Sequence, residues 1–362
     1  MDILNSRDPK VFNQPELVRI GNNLFRRYPV EMAHKSDNQL GPYTDNDDEM
    51  INCAELDDDV EIKVTKSGQF LTKIHVAPFF FGFIIGTRGS KRKEIEMDTN
   101  TRIKIPKQGE TGDIVITGSS ERDICSARLR INLIVLQMRE KHQVTHFLSI
   151  PLVSDQINKN FEIFKSKLMS GPPLRGVEES IFISPQKLHL TLATFVLLDD
   201  YEIDNAVGVM HECQSEILHS LFKNAPPLKI VMEGIEIMND DPTSVDVLYG
   251  KVKLDVQKYN SSLQKMSDLL VDQFAKKGII RKQYDSVKLH ATLMNSRYRN
   301  AKISDERNNG RREQRESFDA SFILDKYKNF YFGEADFKEI HLSVRFTTGD
   351  DKYYECCKLI NL

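Results

Sequence analysis

Long apolar runs are missing from this chain. Nothing in its 362 residues approaches the roughly 20 consecutive apolar residues that a membrane-spanning helix requires, so no membrane role is expected. The opening residues Met1-Asp2-Ile3-Leu4-Asn5 lack a basic flank followed by an apolar stretch, and a secretory signal is not expected either. Cysteine is sparse. Cys53, Cys125, Cys213, Cys356 and Cys357 form no CxxC spacing and no even-numbered framework, which argues for reduced thiols and against a zinc site. The adjacent Cys356 and Cys357 read as packing residues. An excess of one charge sign is lacking as well. The 50 Lys and Arg nearly balance the 53 Asp and Glu, which excludes a uniformly basic coat and confines any nucleic-acid contact to local patches.

What is present is a soluble globular composition, long enough for two or three domains with cores of their own. Charge is unevenly spread. Between Asp45 and Glu61 stand Asp47, Asp48, Glu49, Glu55, Asp57, Asp58 and Asp59 with few apolar residues, the pattern of an acidic linker. Before it, Pro15 to Gly21 and Phe25 to Val30 mix apolar and basic residues. That segment is too small to fold alone, and reads either as a partner-binding element or as a tail. Residues 1–60 are therefore assigned as an N-terminal partner-binding segment with a flexible linker.

From 61 to 142 the pattern is regular. Phe70 to Val76 alternates like a strand, Phe79 to Ile85 reads as a short buried helix, and Gly86-Thr87-Arg88-Gly89 interrupts it. Ser90 is placed to cap a second helix through Met97. Thr101 to Pro106 and Asp113 to Gly118 are two strands, and Glu121 to Lys141 is a long amphipathic helix. The order βααββα resembles a KH domain of the eukaryotic topology, carried by Ile84-Ile85-Gly86-Thr87-Arg88-Gly89, Ile95-Glu96 and Ile114 to Gly118. That resemblance implies a groove for a single strand of RNA or DNA. Gly86, Thr87, Arg88 and Gly89 would approach the phosphates, with Lys91 and Arg92 as counter-charge.

Residues 143–362 are organised by a repeated phrase. Lys187-Leu188-His189-Leu190-Thr191-Leu192 returns as Lys288-Leu289-His290-Ala291-Thr292-Leu293. On a strand, side chains alternate between faces, so His189 and Thr191 share one face while Leu188, Leu190 and Leu192 enter a core. Two imidazoles and two hydroxyls could then flank one phosphodiester. Among nine histidines about one His-x-Ser/Thr is expected by chance, and the third occurrence, Ile340-His341-Leu342-Ser343, reads as an ordinary strand. Lys187 and Lys288 are expected to reach solvent. Strands at Val144–Pro151, Leu228–Met232 and Asp246–Val252, with helices at 158–169, 204–222 and 256–277, put strand, helix and His-x-Thr strand in the same order twice. Two similar lobes facing each other across a cleft follow from that order.

This arrangement resembles the two-histidine (2H) phosphoesterases, and the whole chain is similar to the branch of them that joins a KH domain to this fold. The matching text includes Met238 to Pro242, Val245 to Tyr249, Glu316 to Asp319 and Asn329 to Gly333. The implied fold is α+β, a eukaryotic-type KH domain followed by a bilobal, pseudo-two-fold domain with antiparallel sheets. The implied setting is a nuclear, secondarily cytoplasmic, subunit of a transcription coactivator and alkylation-repair complex, beside other subunits that include a helicase.

The implied chemistry uses no metal and no cofactor. One imidazole takes a proton from the nucleophile and the other gives one to the leaving oxygen, since the ordinary histidine pKa of about 6.5 suits both. Thr191 and Thr292 would donate to the non-bridging oxygens. Which histidine is base stays open, as do RNA, DNA and a 2′,3′-cyclic phosphate as ligand. A non-catalytic adaptor with a phosphate-holding cleft is the second reading. Tyr298, Tyr331 and Phe332 are candidates to stack a base at the cleft mouth. Arg297, Arg299, Lys302, Arg307, Arg311, Arg312 and Arg315 read as a basic loop with no assigned role.

Overall fold

The computed structural model describes residues 16–20 and 23–27 as backbone, and 61–107, 109–300 and 315–362. The chain divides at Asp58 and Asp59 into two units. In the first, β1 (Glu16–Ile20) and β2 (Asn23–Arg27) pair antiparallel with Val18 opposite Phe25. The acidic stretch from Asp45 to residue 60, and Lys302, Arg307, Arg311 and Arg312, lie outside the described residues.

The second unit opens with β3 (Ile62–Val64), β4 (Phe70–Ile74), α1 (Phe81–Ile85), α2 (Ser90–Asp98), β5 (Thr101–Lys104), β6 (Ile114–Gly118) and α3 (Glu121–Lys141). The sheet order is β3-β4-β6-β5, antiparallel throughout. β3 is an edge strand that the sequence pattern did not announce. Ile114 and Ile116 send alternate side chains onto Ile84, Ile95, Ile124 and Ile131, which close one core. Helix α3 starts where it does because the Ser120 hydroxyl accepts from the Asp123 amide at 3.2 Å, and Arg139 and Lys141 end it beside the negative pole of the helix. Ser90 does not cap α2. It is the first helical residue, and Gly89, in the left-handed region at φ 78°, takes the cap position.

Then follow β7 (His146–Pro151), α4 (Asp155–Met169), β8 (His189–Phe195), α5 (Asp200–Cys213), α6 (His219–Phe222), β9 (Leu228–Ile237), β10 (Val247–Leu254), α7 (Asn260–Lys276), β11 (Ala291–Asn295), α8 (Ser321–Tyr327), β12 (Tyr331–Phe337), β13 (Glu339–Val344) and β14 (Cys356–Asn361). Helix α5 begins ahead of the expected Asp204 because the Asp199 carboxylate accepts from the Glu202 amide at 2.9 Å. All eight strands form one antiparallel sheet in the order β12-β9-β10-β11-β8-β7-β13-β14. The expected lobes are its two four-stranded halves. Only the pair Leu190–Ala291, on β8 and β11, is registered across their junction.

The two halves are built alike and interlocked. The His-x-Thr strand β8 pairs with β7 and its counterpart β11 pairs with β10, and in both ladders the leucine closing the repeated phrase is skipped. Ser149 faces Thr191 and Leu148 faces Ala193, passing over Leu192. Tyr249 faces Thr292 and Leu248 faces Met294, passing over Leu293. Each is a β-bulge, which bends the strand just past its threonine. Helix α4, from the first half, packs on β12 of the second, while α7, from the second, packs on β8 of the first. Phe161, Phe164, Phe274 and Phe332 are fully buried in the resulting core. Cys356 and Cys357 are not packing residues; both are exposed on the edge strand β14.

The KH-like part is tied to this sheet at the exit of β8. Arg139 donates to the Val196 carbonyl and pairs with Glu202, and its guanidinium stacks on Phe80 at 4.9 Å. His75 Nε2 lies 2.8 Å from Asp199, with its ring 3.9 Å from that of Tyr201.

Candidate active site

The alternation of the repeated phrase sets the site. Leu188, Leu190 and Leu192 are buried on the helix-covered face, as are Ala291 and Leu293, and the histidines and threonines occupy the other. Extending the Leu190–Ala291 register by one residue each way sets His189 across from Thr292 and Thr191 across from His290. The four side chains therefore form a crossed rectangle at the junction of the two half-sheets. His290 itself stands one residue before the start of β11.

Both imidazoles are held in one tautomer. His189 Nδ1 lies 2.7 Å from the Lys187 carbonyl, and His290 Nδ1 lies 2.6 Å from the Lys288 carbonyl. A carbonyl only accepts, so each Nδ1 carries the proton and each Nε2 is left with its lone pair. Thr191 Oγ1, 3.0 Å from His189 Nε2, donates to it. Burial pushes the His189 pKa down to about 4, against the opposing pull of the Lys187 carbonyl and with further lowering from His290. Burial also lowers His290, and the Lys288 ammonium adds to that.

The walls differ between the halves. His189 stands among Phe147 at 5.0 Å, Tyr354 at 5.6 Å and Tyr353 at 6.5 Å between ring centroids. His290 has Tyr249 at 5.4 Å. Lys187 does not extend into solvent. It is half-buried, with Nζ 2.9 Å from the Thr347 carbonyl, 2.7 Å from Thr348 Oγ1 and 4.7 Å from the centre of the Tyr354 ring. Lys288 is exposed, its Nζ 5.1 Å from the Tyr249 ring centre. The segment following β13 thus folds over the His189 half and leaves the His290 half more open.

The three aromatic candidates separate. Tyr298 is half-buried against the core, and burial raises its pKa, an effect that Arg345 opposes. Tyr331 is exposed on β12, at the far edge of the sheet, with its hydroxyl 3.4 Å from Glu334. Phe332 cannot stack a base. It is fully buried, with ring centroids 5.3 Å from Phe164 and 4.8 Å from Phe330, because strand alternation turns it to the helix-covered face.

Several residues at the site went unread. Phe147 and Ser149 could have been found, since they alternate on a strand paired to β8. Tyr249 sits where the internal repeat sets Ser149. Tyr353 and Tyr354 come from a turn with no local signal. His341, whose sequence reads as an ordinary strand residue, is buried opposite Ser149, with Glu339 2.8 Å from Nε2 and Tyr353 5.8 Å from its ring. It therefore lies on the site's face, two strands from His189.

In the KH-like part the loop Gly86–Gly89 has a backbone that sequence chemistry explains. Gly86 has φ 69°, and a Cβ there would stand 2.7 Å from Lys91 Cβ, so only glycine fits. Thr87, Arg88 and Lys91 are exposed. Arg92 is half-buried, its Nε 3.7 Å from Glu96, a carboxylate that also accepts from the Ile103 amide at 2.8 Å. Part of its charge is thus engaged within the fold.

Comparison with known proteins brings these parts together. A family described as the AKAP7 2'5' RNA ligase-like domain matches residues 144–362, and the KH domain family matches 71–133. Activating signal cointegrator 1 complex subunit 1 of Mus musculus is 35% identical over 355 residues, 95% of this chain and 97% of that protein. Among solved structures, E. coli LigT complexed with 3'-AMP is 15% identical, with a TM-score of 0.36 over 61% of this chain and 99% of its own. TT0787 of Thermus thermophilus is 13% identical, with a TM-score of 0.36 over 60% of this chain and 97% of its own.

Proposed function

Because this chain belongs to the AKAP7 2'5' RNA ligase-like family, with a KH domain ahead of its 2H phosphoesterase-like fold, we propose that it is a nucleic-acid-binding phosphodiesterase within a multi-subunit complex. Likeness to activating signal cointegrator 1 complex subunit 1 along nearly the full length supports membership of the activating signal cointegrator complex. A helicase subunit as partner and a nuclear setting complete the proposal. The KH domain grips a single strand of RNA or DNA through Gly86–Gly89 and Lys91. The cleft then cuts an RNA phosphodiester or opens a 2′,3′-cyclic phosphate.

The observation that carries this reading is the crossed rectangle, with both Nδ1 atoms fixed by main-chain carbonyls. His189, the more enclosed and more easily kept neutral, is the general base, and His290, on the open side, is the general acid. A phosphate between them favours the protonated form of His290, while Thr191 and Thr292 donate to its non-bridging oxygens. One observation favours the second reading, a cleft that holds a phosphate-bearing ligand without cutting it. Both imidazoles are pushed below their usual range, so neither histidine is a ready proton donor at pH 7.

The deciding experiment incubates the protein with end-labelled single-stranded RNA and with a 2′,3′-cyclic nucleotide, in EDTA. Product is expected from the wild type and lost in both His189→Ala and His290→Ala. Undiminished product in either variant removes the two-histidine mechanism, and binding without product establishes the adaptor.

A further inference from the structure

The lysine that opens each copy of the repeated phrase has no part in the chemistry above, yet in both copies it meets a tyrosine. Lys187 Nζ stands 4.7 Å from the centre of the Tyr354 ring, which is 5.6 Å from the His189 ring. Lys288 Nζ stands 5.1 Å from the centre of the Tyr249 ring, which is 5.4 Å from the His290 ring. Lysine, tyrosine and histidine thus follow one another in both halves, at distances where a ring face attracts an ammonium.

The two tyrosines are held differently. Tyr249 belongs to β10, opposite Thr292, so the ladder sets its place. The matching position on β7, opposite Thr191, carries the small Ser149, and the first half takes its ring from the turn between β13 and β14. That turn is closed on itself. Thr347 Oγ1 donates to the Val344 carbonyl at 2.8 Å and accepts from the Glu355 amide at 3.0 Å, and the Gly349 amide donates to the Tyr353 carbonyl at 2.8 Å. Two side chains tie it to the site. Ser149 Oγ lies 3.1 Å from the Tyr353 hydroxyl, and Lys187 Nζ donates to the Thr347 carbonyl at 2.9 Å and to Thr348 Oγ1 at 2.7 Å. Lys187 has no ion pair among the described residues, so the oxygens and the ring of the turn are what satisfy its half-buried ammonium.

We infer that Lys187 is a positioning residue for His189: its main-chain carbonyl sets the imidazole tautomer, and its ammonium fixes the turn that lays Tyr354 against the ring. Lys288 is exposed beside a tyrosine that its own strand already places. The consequence for catalysis rests on the cleft reading given under Proposed function; the contact itself does not.

Nuclear magnetic resonance on the full chain, with histidine and tyrosine rings labelled and no substrate present, reads the contact. The wild type should give cross-peaks between His189 and Tyr354 and between His290 and Tyr249. Lys187→Met, which keeps the stem and loses the charge, should lose the first and keep the second, which reports an intact fold. Lys187→Arg should retain both, and Lys288→Met should leave the first. On end-labelled single-stranded RNA, Lys187→Met should lower kcat about tenfold with KM changed less than about twofold, because a misplaced base slows the chemical step without weakening binding; Lys187→Arg should restore most of kcat. The inference is overturned by a His189–Tyr354 cross-peak that survives in Lys187→Met, by loss of both cross-peaks there, or by its loss in Lys288→Met. Unchanged kcat in Lys187→Met overturns it too, and a KM rise at that kcat would make the ammonium a substrate contact instead. No product from the wild type removes the phosphodiesterase reading, and the cross-peaks then decide the positioning by themselves.

Discussion

Acidification acts on His189 directly. Burial holds its pKa down to about 4, so between 6.5 and 4 the unfolded chain takes up a proton that the folded chain refuses. The unfolded state therefore binds more protons in that window. Stability is fully present above pH 6.5 and falls as pH drops toward 4. At about 1.4 kcal/mol per pH unit the full gap corresponds to roughly 3 kcal/mol. His189 is only half-buried, and water recovers part of this, so about 2 kcal/mol is expected by pH 4. The perturbation is His189→Gln, which is polar and does not titrate. Urea midpoints of wild type and variant, measured at pH 7, 5 and 4 in phosphate-free buffer, should diverge with the wild type losing more, since every other titrating group contributes to both. Parallel curves would refute the reasoning, as would a His189 proton resonance titrating at or above 6.5. Adding inorganic phosphate should shrink the difference, because a bound anion favours the imidazolium.

Three further outcomes are expected. With His290 as acid and its pKa lowered, kcat/KM should peak below pH 6.5 and fall about tenfold per pH unit above that pKa; a rate rising from pH 6 to 8 would reverse or remove the assignment. Thr87→Asp with Arg88→Asp should weaken single-stranded RNA binding about tenfold or more at low salt, read by fluorescence anisotropy, and unchanged affinity would discard the KH groove as the binding site. Phe332→Ala should cost about 3–5 kcal/mol in urea unfolding, whereas Tyr331→Ala at the exposed edge should cost less than about 0.5 kcal/mol; equal effects would contradict their opposite orientation.

Much of this was legible because it is local. The period-two alternation of Lys-Leu-His-x-Thr-Leu fixes which side chains share a face, and the two ends of the Gly86–Gly89 turn, at φ 69° and 78°, take a backbone that glycine adopts readily. Phe332 was misread because a single residue's step along β12 decides between core and solvent, and the text Tyr331-Phe332 does not say which aromatic is which. Lys187 was misread because its partners, Thr347 and Thr348, lie 160 residues further on. The Cys356–Cys357 pair was misread because an edge strand exposes residues that a central strand would bury.

By itself the sequence determined the βααββα order, the second domain with its internal repeat, and the four side chains of the phrase, since each follows from spacing along a few residues. Only the tertiary structure decided that both halves share one sheet, that His189 faces Thr292 and His290 faces Thr191, and that Phe147 and Tyr354 gather beside one histidine rather than the other. Strand register and the path of a turn are set by burial and pairing between segments far apart in the chain. The asymmetry of the cleft, and with it the assignment of base and acid, comes from the turn after Val344 folding over the His189 half.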